Sequence, residues 1–253
     1  QKAANLIAQA ASARPRYPKD IEEFRDYLGY NLESLGIETG VEYYSLLKDY
    51  LCGILFTGKP ILISRNTGIP LMKCVSNAFI ASANVATLVF APDASADVID
   101  EFLSAKNRIL CLDNFIGNFD ETVLVTVCDR HKDKIVFLTV AYDRTVRYVP
   151  EEFLKYCHYL NLNRIEAFTQ ERDLAEDPSS VEEIEAPSVM ITPDTLWAPL
   201  LKEIFSELGI CNVLSTYKSS LIFDESSLCR LLAFDILPYC MDVLGVDPFA
   251  VSE

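Results

Sequence analysis

Residues 60–83 carry the pattern of a buried strand that passes through a tight turn into a helix. Pro60 precedes a short β-branched run at 61–63, which is typical of a buried parallel strand. The polar residues at 64–68 end in glycine and predict a turn. Pro70 suits the first turn of a helix, because its missing N–H has no partner there. Apolar residues then recur at helical spacing, at Leu71, Cys74, Val75, Ala78 and Phe79.

The predicted turn lies where nucleotide-binding domains hold a phosphate, because backbone N–H groups and the positive end of the helix dipole converge there. A phosphate loop of this kind has the pattern G-x-x-x-x-G-K-[ST]. With Gly68 as the second glycine, Ile63 takes the place of the first. Ile69 then replaces the lysine, and Pro70 replaces the hydroxyl residue that binds magnesium. Two interpretations stay open for this segment: a P-loop domain that has lost its catalytic residues, and an ordinary strand-to-helix connection.

Buried strands and helices alternate after this unit. The sequence predicts strands at 60–63, 86–90, 108–112 and 134–142, and helices at 69–83, 95–105, 120–129 and 151–159. Such alternation is typical of an α/β fold with a parallel sheet that is covered by helices on both faces. Ligands of such sheets bind beyond the carboxyl ends of the strands, and Gly68, Asp113 and Tyr142 fall at that edge.

The whole chain divides into four predicted segments. They are a helical lead-in at 1–40, the α/β core at 41–172, an acidic linker at 173–192 and a small helical domain at 193–253. In the last segment an amphipathic helix at 193–208 carries Trp197 as a core residue. A second helix at 226–244 follows, with Ser226 or Ser227 as its cap.

Charge is distributed unevenly along the sequence. The formal net charge is −15; residues 1–150 hold 16 Lys and Arg against 18 Asp and Glu, whereas residues 151–253 hold 6 against 19. Such an acidic C-terminal part repels phosphate backbones, which disfavours direct nucleic-acid binding there. A basic protein partner fits this charge better.

Cysteine and histidine usage predicts a reducing environment. None of the eight cysteines has CxxC spacing and most lie in apolar segments, which favours buried free thiols in the cytoplasm. The two histidines have no nearby ligand partner, which disfavours a zinc site. No apolar run is long enough to span a bilayer, so we expect no membrane association. Because the first residue is Gln1, we expect a piece of a longer protein or a trimmed chain.

The third predicted strand adds a second nucleotide-binding signal. In P-loop ATPases this strand ends in an Asp that holds magnesium, and a Glu that polarises the attacking water follows it. Asp113 matches the Asp, but Asn114 replaces the Glu and cannot take a proton. The segments 112–118, 139–146 and 149–154 then resemble, in order and spacing, motifs of AAA+ modules. The chain is most similar over about 41–160 to the McrB-type GTPases of restriction systems and their MoxR-like relatives.

The resemblance implies a three-layer P-loop core followed by a C-terminal helical lid. It also implies candidate nucleotide-binding residues, which are Arg65, Asn66, Thr67, Gly68, Lys73, Asp113 and Asn114. The sensor-like positions that it implies are Ala141, Asp143 and Arg144. On the residues alone, Arg65 is expected to be a solvated turn residue, Lys73 an exposed helix residue, and the Asp143–Arg144 pair a structural ion pair.

The departures from the family pattern all remove catalytic chemistry. Ile69, Pro70 and Asn114 replace the Walker lysine, its hydroxyl neighbour and the catalytic Glu, and Ala141 replaces the sensor Asn. The paired arginines that the family places after 151–154 are absent. Because loss of even one charge-stabilising group costs a factor of about 10² to 10³ in rate, the combined loss predicts no hydrolysis.

Three hypotheses follow. The leading one is a catalytically degenerate AAA+-like domain that acts as a protein-interaction or self-assembly module. Such a domain needs no cofactor. The resemblance implies a role in bacterial restriction or defence. The alternative is an enzyme domain that binds ATP or GTP with Mg, or another phosphorylated ligand, through an unconventional P-loop. The third is a plain α/β domain, whose C-terminal helices need not pack on the sheet domain.

Overall fold

The computed structural model describes residues 20–37, 42–80, 82–162 and 193–247. Five strands form one sheet: β1 (Ile61–Ser64), β2 (Ala86–Val89), β3 (Ile109–Asp113), β4 (Ile135–Val140) and β5 (His158–Leu160). Across the sheet they lie in the order β2-β3-β4-β1-β5, and every neighbouring pair is parallel. The predicted α/β fold with a parallel sheet is therefore confirmed.

Helices flank the sheet and follow it along the chain. Up to β5 they are α1 (Ile21–Ser34), α2 (Glu42–Leu55), α3 (Arg65–Ile80), α4 (Ala96–Leu103), α5 (Glu121–Arg130), the 3₁₀ helix Asp143–Tyr148 and α6 (Glu151–Leu154). The C-terminal helices are α7 (Trp197–Glu207), α8 (Asn212–Ser220) and α9 (Glu225–Leu231). Helix α9 continues through a π-helical stretch at Leu232–Ile236, α10 (Leu237–Tyr239) and a second π-helical stretch at Cys240–Leu244.

Parallel strands are joined by right-handed crossovers almost without exception, so the strand order implies helices on both faces of the sheet. The connection from β1 to β2 runs toward one edge and the later connections run the opposite way, so α3 covers one face and α4 to α6 cover the other. On the first face α1 packs against α3, and the ring centroids of Phe24, Phe56 and Phe79 lie 5.4–6.0 Å apart. On the second face α4 packs against α5. The core thus has three layers.

The direction of the connections reverses between two neighbouring strands, β1 and β4. The chain leaves β1 toward the α3 face, whereas it leaves β4 toward the other face. A crevice at the carboxyl ends of such a strand pair is the usual ligand position in open α/β sheets. The carboxyl ends of β1 and β4 are therefore the candidate ligand-binding position of this sheet.

The predicted turn at 64–68 is wrong, because α3 begins at Arg65 directly after the last residue of β1. Thr67 and Gly68 are buried in the first turn of this helix. A Cβ at Gly68 would lie 2.7 Å from Cγ2 of Ile63, so the missing side chain lets the helix pack this close to the strand. Pro70 lies inside the helix instead of in its first turn.

The helix predicted at 151–159 is also wrong over its second half. Helix α6 ends at Leu154, and the chain then forms β5, which pairs with β1 through the register Ile61↔His158. The N–H of His158 donates to the Pro60 carbonyl at 2.8 Å. The pairing of β5 with β1 therefore overrides the helical pattern of this segment. A strand of three residues is too short to leave a recognisable pattern of its own in the sequence.

The C-terminal helices pack on α2 and on the edge strand. Helix α9 lies against α2, and the first π-helical stretch lies against β5. The ring of Phe234 stacks on Tyr50 with centroids 5.3 Å apart, and the N–H of Asn161 donates to the Phe234 carbonyl at 3.2 Å. The cap of α9 is Asp224, whose side chain accepts from the N–H of Ser227 at 2.6 Å, so the predicted cap at Ser226 or Ser227 is wrong.

Two predicted segments lie partly or wholly outside the described residues. Much of the lead-in at 1–40 and all of the linker at 173–192 belong to them. Within the described ranges no helix is long and apolar enough to cross a membrane. All eight cysteines are free thiols, as predicted; five are buried, two are partly buried and Cys229 is exposed.

Candidate functional site

Asp113 lies at the carboxyl end of β3 and is almost fully buried, with 4% of its surface exposed. Its Oδ1 accepts a hydrogen bond from Oγ1 of Thr139 at 2.6 Å, and its Oδ2 lies 3.1 Å from Nη2 of Arg65. The sheet register brings the group together, because Asp113 and Thr139 are paired residues on β3 and β4, while Arg65 follows β1. Arg65 is thus the cation partner of Asp113; it is solvent-exposed as expected, but it lies in a helix instead of a turn.

Both carboxylate oxygens of Asp113 have a partner. A buried carboxylate is costly unless it is paired and hydrogen-bonded, and Arg65 and Thr139 supply both. The buried thiol of Cys111 lies 4.0 Å from Oγ1 of Thr139. Burial raises the pKa of Cys111 to about 11, so this thiol is protonated and not a ready nucleophile at neutral pH.

A cavity of about 200 Å³ opens beside this group, between α3 and strands β2 and β3. Arg65, Lys73 and Asp113 supply its charges, and Ile69 and Met72 supply apolar walls. Lys73 is exposed on its helix, as predicted. Pockets for drug-sized ligands usually span about 300–1,000 Å³, so this cavity is small for a whole nucleotide.

The other predicted nucleotide-binding residues at the start of α3 do not surround a loop. Asn66 is exposed, whereas Thr67 and Gly68 are buried, and Gly68 lies against Ile63 of β1. Ile69 lines the cavity, and it is 39% exposed. The geometry therefore brings Arg65, Lys73 and Asp113 together and leaves the remaining members of the predicted set apart.

Asn114 has a backbone role at the end of β3. It adopts a left-handed conformation with φ of 63°, which Asn tolerates better than Glu does. Its N–H donates to the carbonyl of Thr139 at 2.9 Å, and its own carbonyl accepts from Nδ2 of Asn118 at 3.0 Å. These bonds hold the loop that leads into α5 against the end of β4.

The sensor-like positions follow β4. Ala141 is partly buried just after the strand, and Tyr142 beside it is 77% exposed. The backbone of Asp143 and Arg144 belongs to the 3₁₀ helix, but their side chains lie outside the described part of the structure. The predicted ion pair between them stays a prediction.

Thr139 is the member of this group that the sequence analysis included in the segment 139–146 but did not name as a site residue. It is fully buried and occurs in the middle of the apolar run of β4. A hydroxyl residue inside a buried strand needs a partner, and the neighbouring strand end offers the carboxylate of Asp113. That pairing could be found from the sequence only once the register of β3 and β4 was known.

Comparisons with family models, with curated proteins and with solved structures find no match for this chain.

The described residues include no candidate metal site. Within 20–37, 42–80, 82–162 and 193–247, no three His, Cys, Asp or Glu side chains group closely enough to hold a metal ion. Asp113 is a carboxylate that could approach a cation, but the Arg65 guanidinium already lies against its Oδ2. Among the described residues, the chemistry seen at this edge is thus charge pairing.

A second surface feature lies on α7. Asp194 fixes the start of this helix by accepting from the N–H groups of Leu196 and Trp197, at 2.8 and 2.7 Å. Its inner face buries Ala198, Leu201 and Phe205. The expectation of Trp197 as a core residue is wrong, because 38% of it is exposed.

Trp197 belongs to an exposed apolar surface that we call the α7 stripe, made of Leu196, Trp197, Leu200 and Ile204. These side chains are 36–59% exposed. At 100° per residue they share one side of the helix, and the exposed Glu203 and Glu207 border that side. A row of large apolar side chains beside acidic ones is a common feature of protein interaction surfaces.

Proposed function

We propose that this chain is a catalytically degenerate AAA+-like domain that works as a protein-interaction module. The observation that carries the proposal is the pairing of Asp113 with Arg65 at an edge where β1 runs into α3 without a loop. In the proposed domain, this pair satisfies charge that a nucleotide phosphate and its metal would otherwise meet. An NTPase would need that charge and the lost lysine and Glu.

The architecture supports the AAA+-like part of the proposal. A three-layer core with strand order β5-β1-β4-β3-β2 is compatible with the fold that the resemblance implies. The C-terminal helices pack on α2 and β5, whereas a plain α/β domain would not require this packing. These helices are the part that we assign to the lid.

The α7 stripe supports the interaction part of the proposal. Large exposed apolar side chains on one face of a helix gain about 25 cal/mol per Å² when a partner removes them from water. The bordering Glu203 and Glu207 repel a second acidic copy and attract Lys or Arg. We therefore assign the stripe to a partner with an apolar surface bordered by basic residues.

The geometry counts against the alternative of a phosphate-binding enzyme. That alternative needs a loop around Gly68, but Gly68 is buried in a helix against Ile63. It would also have to use Lys73 for the phosphate, because the guanidinium of Arg65 is engaged with Asp113. The 200 Å³ cavity is small for a nucleotide as well.

Isothermal titration of the purified protein with ATP and with GTP, each with Mg²⁺, tests the nucleotide part. At about 100 μM protein we expect no heat, which corresponds to a Kd weaker than about 1 mM. Micromolar binding together with release of phosphate would contradict the proposal.

Trp197 is the only tryptophan, so its fluorescence reports the state of the stripe. We expect a blue shift on adding a basic Lys/Leu amphipathic helical peptide, and none with the matched Glu/Leu peptide. The variant Leu200→Gln should weaken this binding, while Lys202→Gln, outside the stripe on the same helix, should not. An equal response to both peptides, or to neither, would contradict the assignment of the stripe.

A further inference from the structure

The sheet is open along β2, which is the first strand in the sheet order. Among the described residues, only β3 pairs with it. Natural edge strands usually carry charged residues or Pro that prevent further pairing, but residues 84–91 contain neither. The side chain of Thr87 is exposed, and Val89 is 55% exposed. We call the outer side of β2 at Thr87 and Val89 the β2 edge.

The backbone of the β2 edge is set up to pair with another strand. The N–H of Phe90 donates to the Asp113 carbonyl at 2.9 Å, so this N–H points toward β3. Consecutive residues of a strand direct their N–H and C=O groups to opposite sides, so those of Thr87 and Val89 point away from β3. Within the described ranges no strand pairs with these groups. An extended chain can satisfy them, whereas a helix uses its own backbone groups internally.

The 200 Å³ cavity adjoins the β2 edge on the side of α3. Thr87 and Val89 line it from β2, and Ile69 and Met72 line it from α3. A strand added to β2 would lie about 4.8 Å from it, with alternate side chains on the cavity side of the sheet. Peptides that extend a sheet gain affinity from backbone hydrogen bonds and selectivity from such pockets.

Lys73 determines which side chain the cavity favours. Among the lining residues the charges are those of Arg65, Asp113 and Lys73, and the first two are paired with each other. Lys73 is exposed and forms no ion pair within the part of the chain that the structure describes. Exposed charges farther away than about 10 Å are largely screened by salt, so this local excess of positive charge favours an acidic side chain.

We propose that the β2 edge binds an extended peptide segment of a partner protein, which pairs with β2 as an antiparallel strand and directs an acidic side chain between apolar ones toward Lys73. Antiparallel pairing is slightly more stable per residue than parallel pairing. A second copy of this chain is disfavoured as the occupant, because each copy has a formal net charge of −15. This surface is separate from the α7 stripe, and the inference does not depend on the AAA+-like assignment.

Fluorescence anisotropy of a fluorescein-labelled peptide, Thr-Val-Thr-Glu-Thr-Val-Thr, tests the site on the full chain. Its Val and Glu residues alternate with Thr and are designed to face the cavity. We expect a Kd below about 1 mM. The same peptide with Gln in place of Glu should bind about two- to fivefold more weakly, which is the range for an exposed ion pair. Absence of binding up to about 1 mM overturns the inference.

N-methylation of the peptide tests the backbone pairing. In an antiparallel pair, opposed residues that exchange hydrogen bonds have their side chains on the same face. The peptide residues that face the cavity therefore also direct their N–H groups toward β2. N-methyl groups on the Val and Glu residues should abolish binding, whereas N-methyl groups on the two central Thr residues should not. Binding that survives methylation of Val and Glu overturns the inference.

Charge exchange at Lys73 tests the cavity. Lys73→Glu should reverse the preference, so that a peptide with Lys in place of Glu binds better than the original one. Lys202→Glu, on the exposed side of α7 and outside the cavity, is the matched control and should keep the preference of the wild type. An unchanged preference in Lys73→Glu overturns the inference.

Thr87→Pro tests the strand edge itself, because it removes an outward N–H and no hydrogen bond to β3. This variant should abolish peptide binding, and Thr87→Ala should retain it. Sedimentation without peptide tests the second copy: a dimer that Thr87→Pro dissociates would overturn the inference. The Trp197 assay reports on α7 alone, so failure at the β2 edge and failure of the proposed function are separate results.

Discussion

At the scale of single residues, Asp113 has two partners that differ in their exposure. Thr139 is fully buried, so its hydrogen bond acts in a medium of low dielectric. The Arg65 side chain is 49% exposed, so water screens its attraction to the carboxylate. The hydroxyl fixes the orientation of Asp113, and the guanidinium balances its charge.

Removing Arg65 should leave the buried carboxylate of Asp113 without a cation, which costs stability. We expect Arg65→Ala to lower the free energy of unfolding by about 1–2 kcal/mol, less than for a fully buried pair because Arg65 is half exposed. Adding Asp113→Asn to Arg65→Ala should restore part of the loss, because the amide needs no cation. Chemical denaturation of the four proteins of this double-mutant cycle measures the coupling, and additive losses would contradict it.

His158 should make stability depend on pH. Its pKa is about 3 in the folded chain and 6.5 as the ordinary value, so the unfolded chain binds the extra proton between these pH values. The contribution of neutral His158 is complete above pH 6.5 and is lost as the pH falls toward 3, by at most roughly 1.4 kcal/mol per pH unit. Denaturation of the wild type and of His158→Gln at pH 7 and pH 5 isolates this contribution. Both proteins have the same carboxylates, so the effect of carboxylate titration cancels when the two are compared. The variant should lose less stability on acidification, and equal losses would rule the effect out.

At the scale of elements, the junction of β1 and α3 depends on a glycine. The helix starts with no intervening loop, and only a residue without a side chain fits between its first turn and Ile63. The first turn is thus held by packing on the sheet and by the Arg65 pair, in spite of its polar composition.

Two glycines on different helices provide a matched test of this packing. We expect Gly68→Ala to lower the free energy of unfolding by about 1–3 kcal/mol, because its Cβ would lie 2.7 Å from Cγ2 of Ile63. Gly53→Ala, with open space at its Cβ, should raise it by about 0.5–1 kcal/mol through the higher helix propensity of Ala. Thermal unfolding of the wild type and of both variants measures these two changes. Destabilisation of both variants by similar amounts would contradict the packing argument.

The sequence predicts the central elements well and the contact-dependent ones poorly. Strands β1, β3 and β4 are continuous buried apolar runs, so their composition alone identifies them. Strand β5 has three residues and exists through its pairing with β1, and α8 has too weak an apolar pattern to be noticed. The candidate site could likewise be predicted only in part. The sequence identifies Asp113 as the end of a strand, whereas its contacts with Arg65 and Thr139 can be predicted only when the pairing register of the strands is known.

At the scale of the whole molecule, aromatic contacts join the C-terminal helices to the sheet layers. Phe234 lies between Tyr43 and Tyr50 of α2, with ring centroids 5.1 and 5.3 Å apart, and is fully buried. Its carbonyl also accepts from Asn161 just after β5. These contacts favour cooperative unfolding of the C-terminal helices together with the core.

Phe234→Ala should therefore weaken the whole molecule. We expect a loss of about 3–5 kcal/mol in the free energy of unfolding, which is usual for a deleted core Phe. In native-state hydrogen exchange the amides of β1 and of α9 should lose protection together. Phe223→Ala is the matched control, because Phe223 is 39% exposed and should cost much less. Loss of protection confined to α9 would mean that the two parts unfold separately.

The direct passage from β1 into α3 limits what point substitutions could do at this edge of the sheet. Replacing Ile69 and Pro70 by Lys and Ser would create two letters of the nucleotide motif, yet they would sit on a helix whose first turn is already formed by residues 65–68. Building a phosphate loop between β1 and α3 would therefore take inserted residues as well as substitutions.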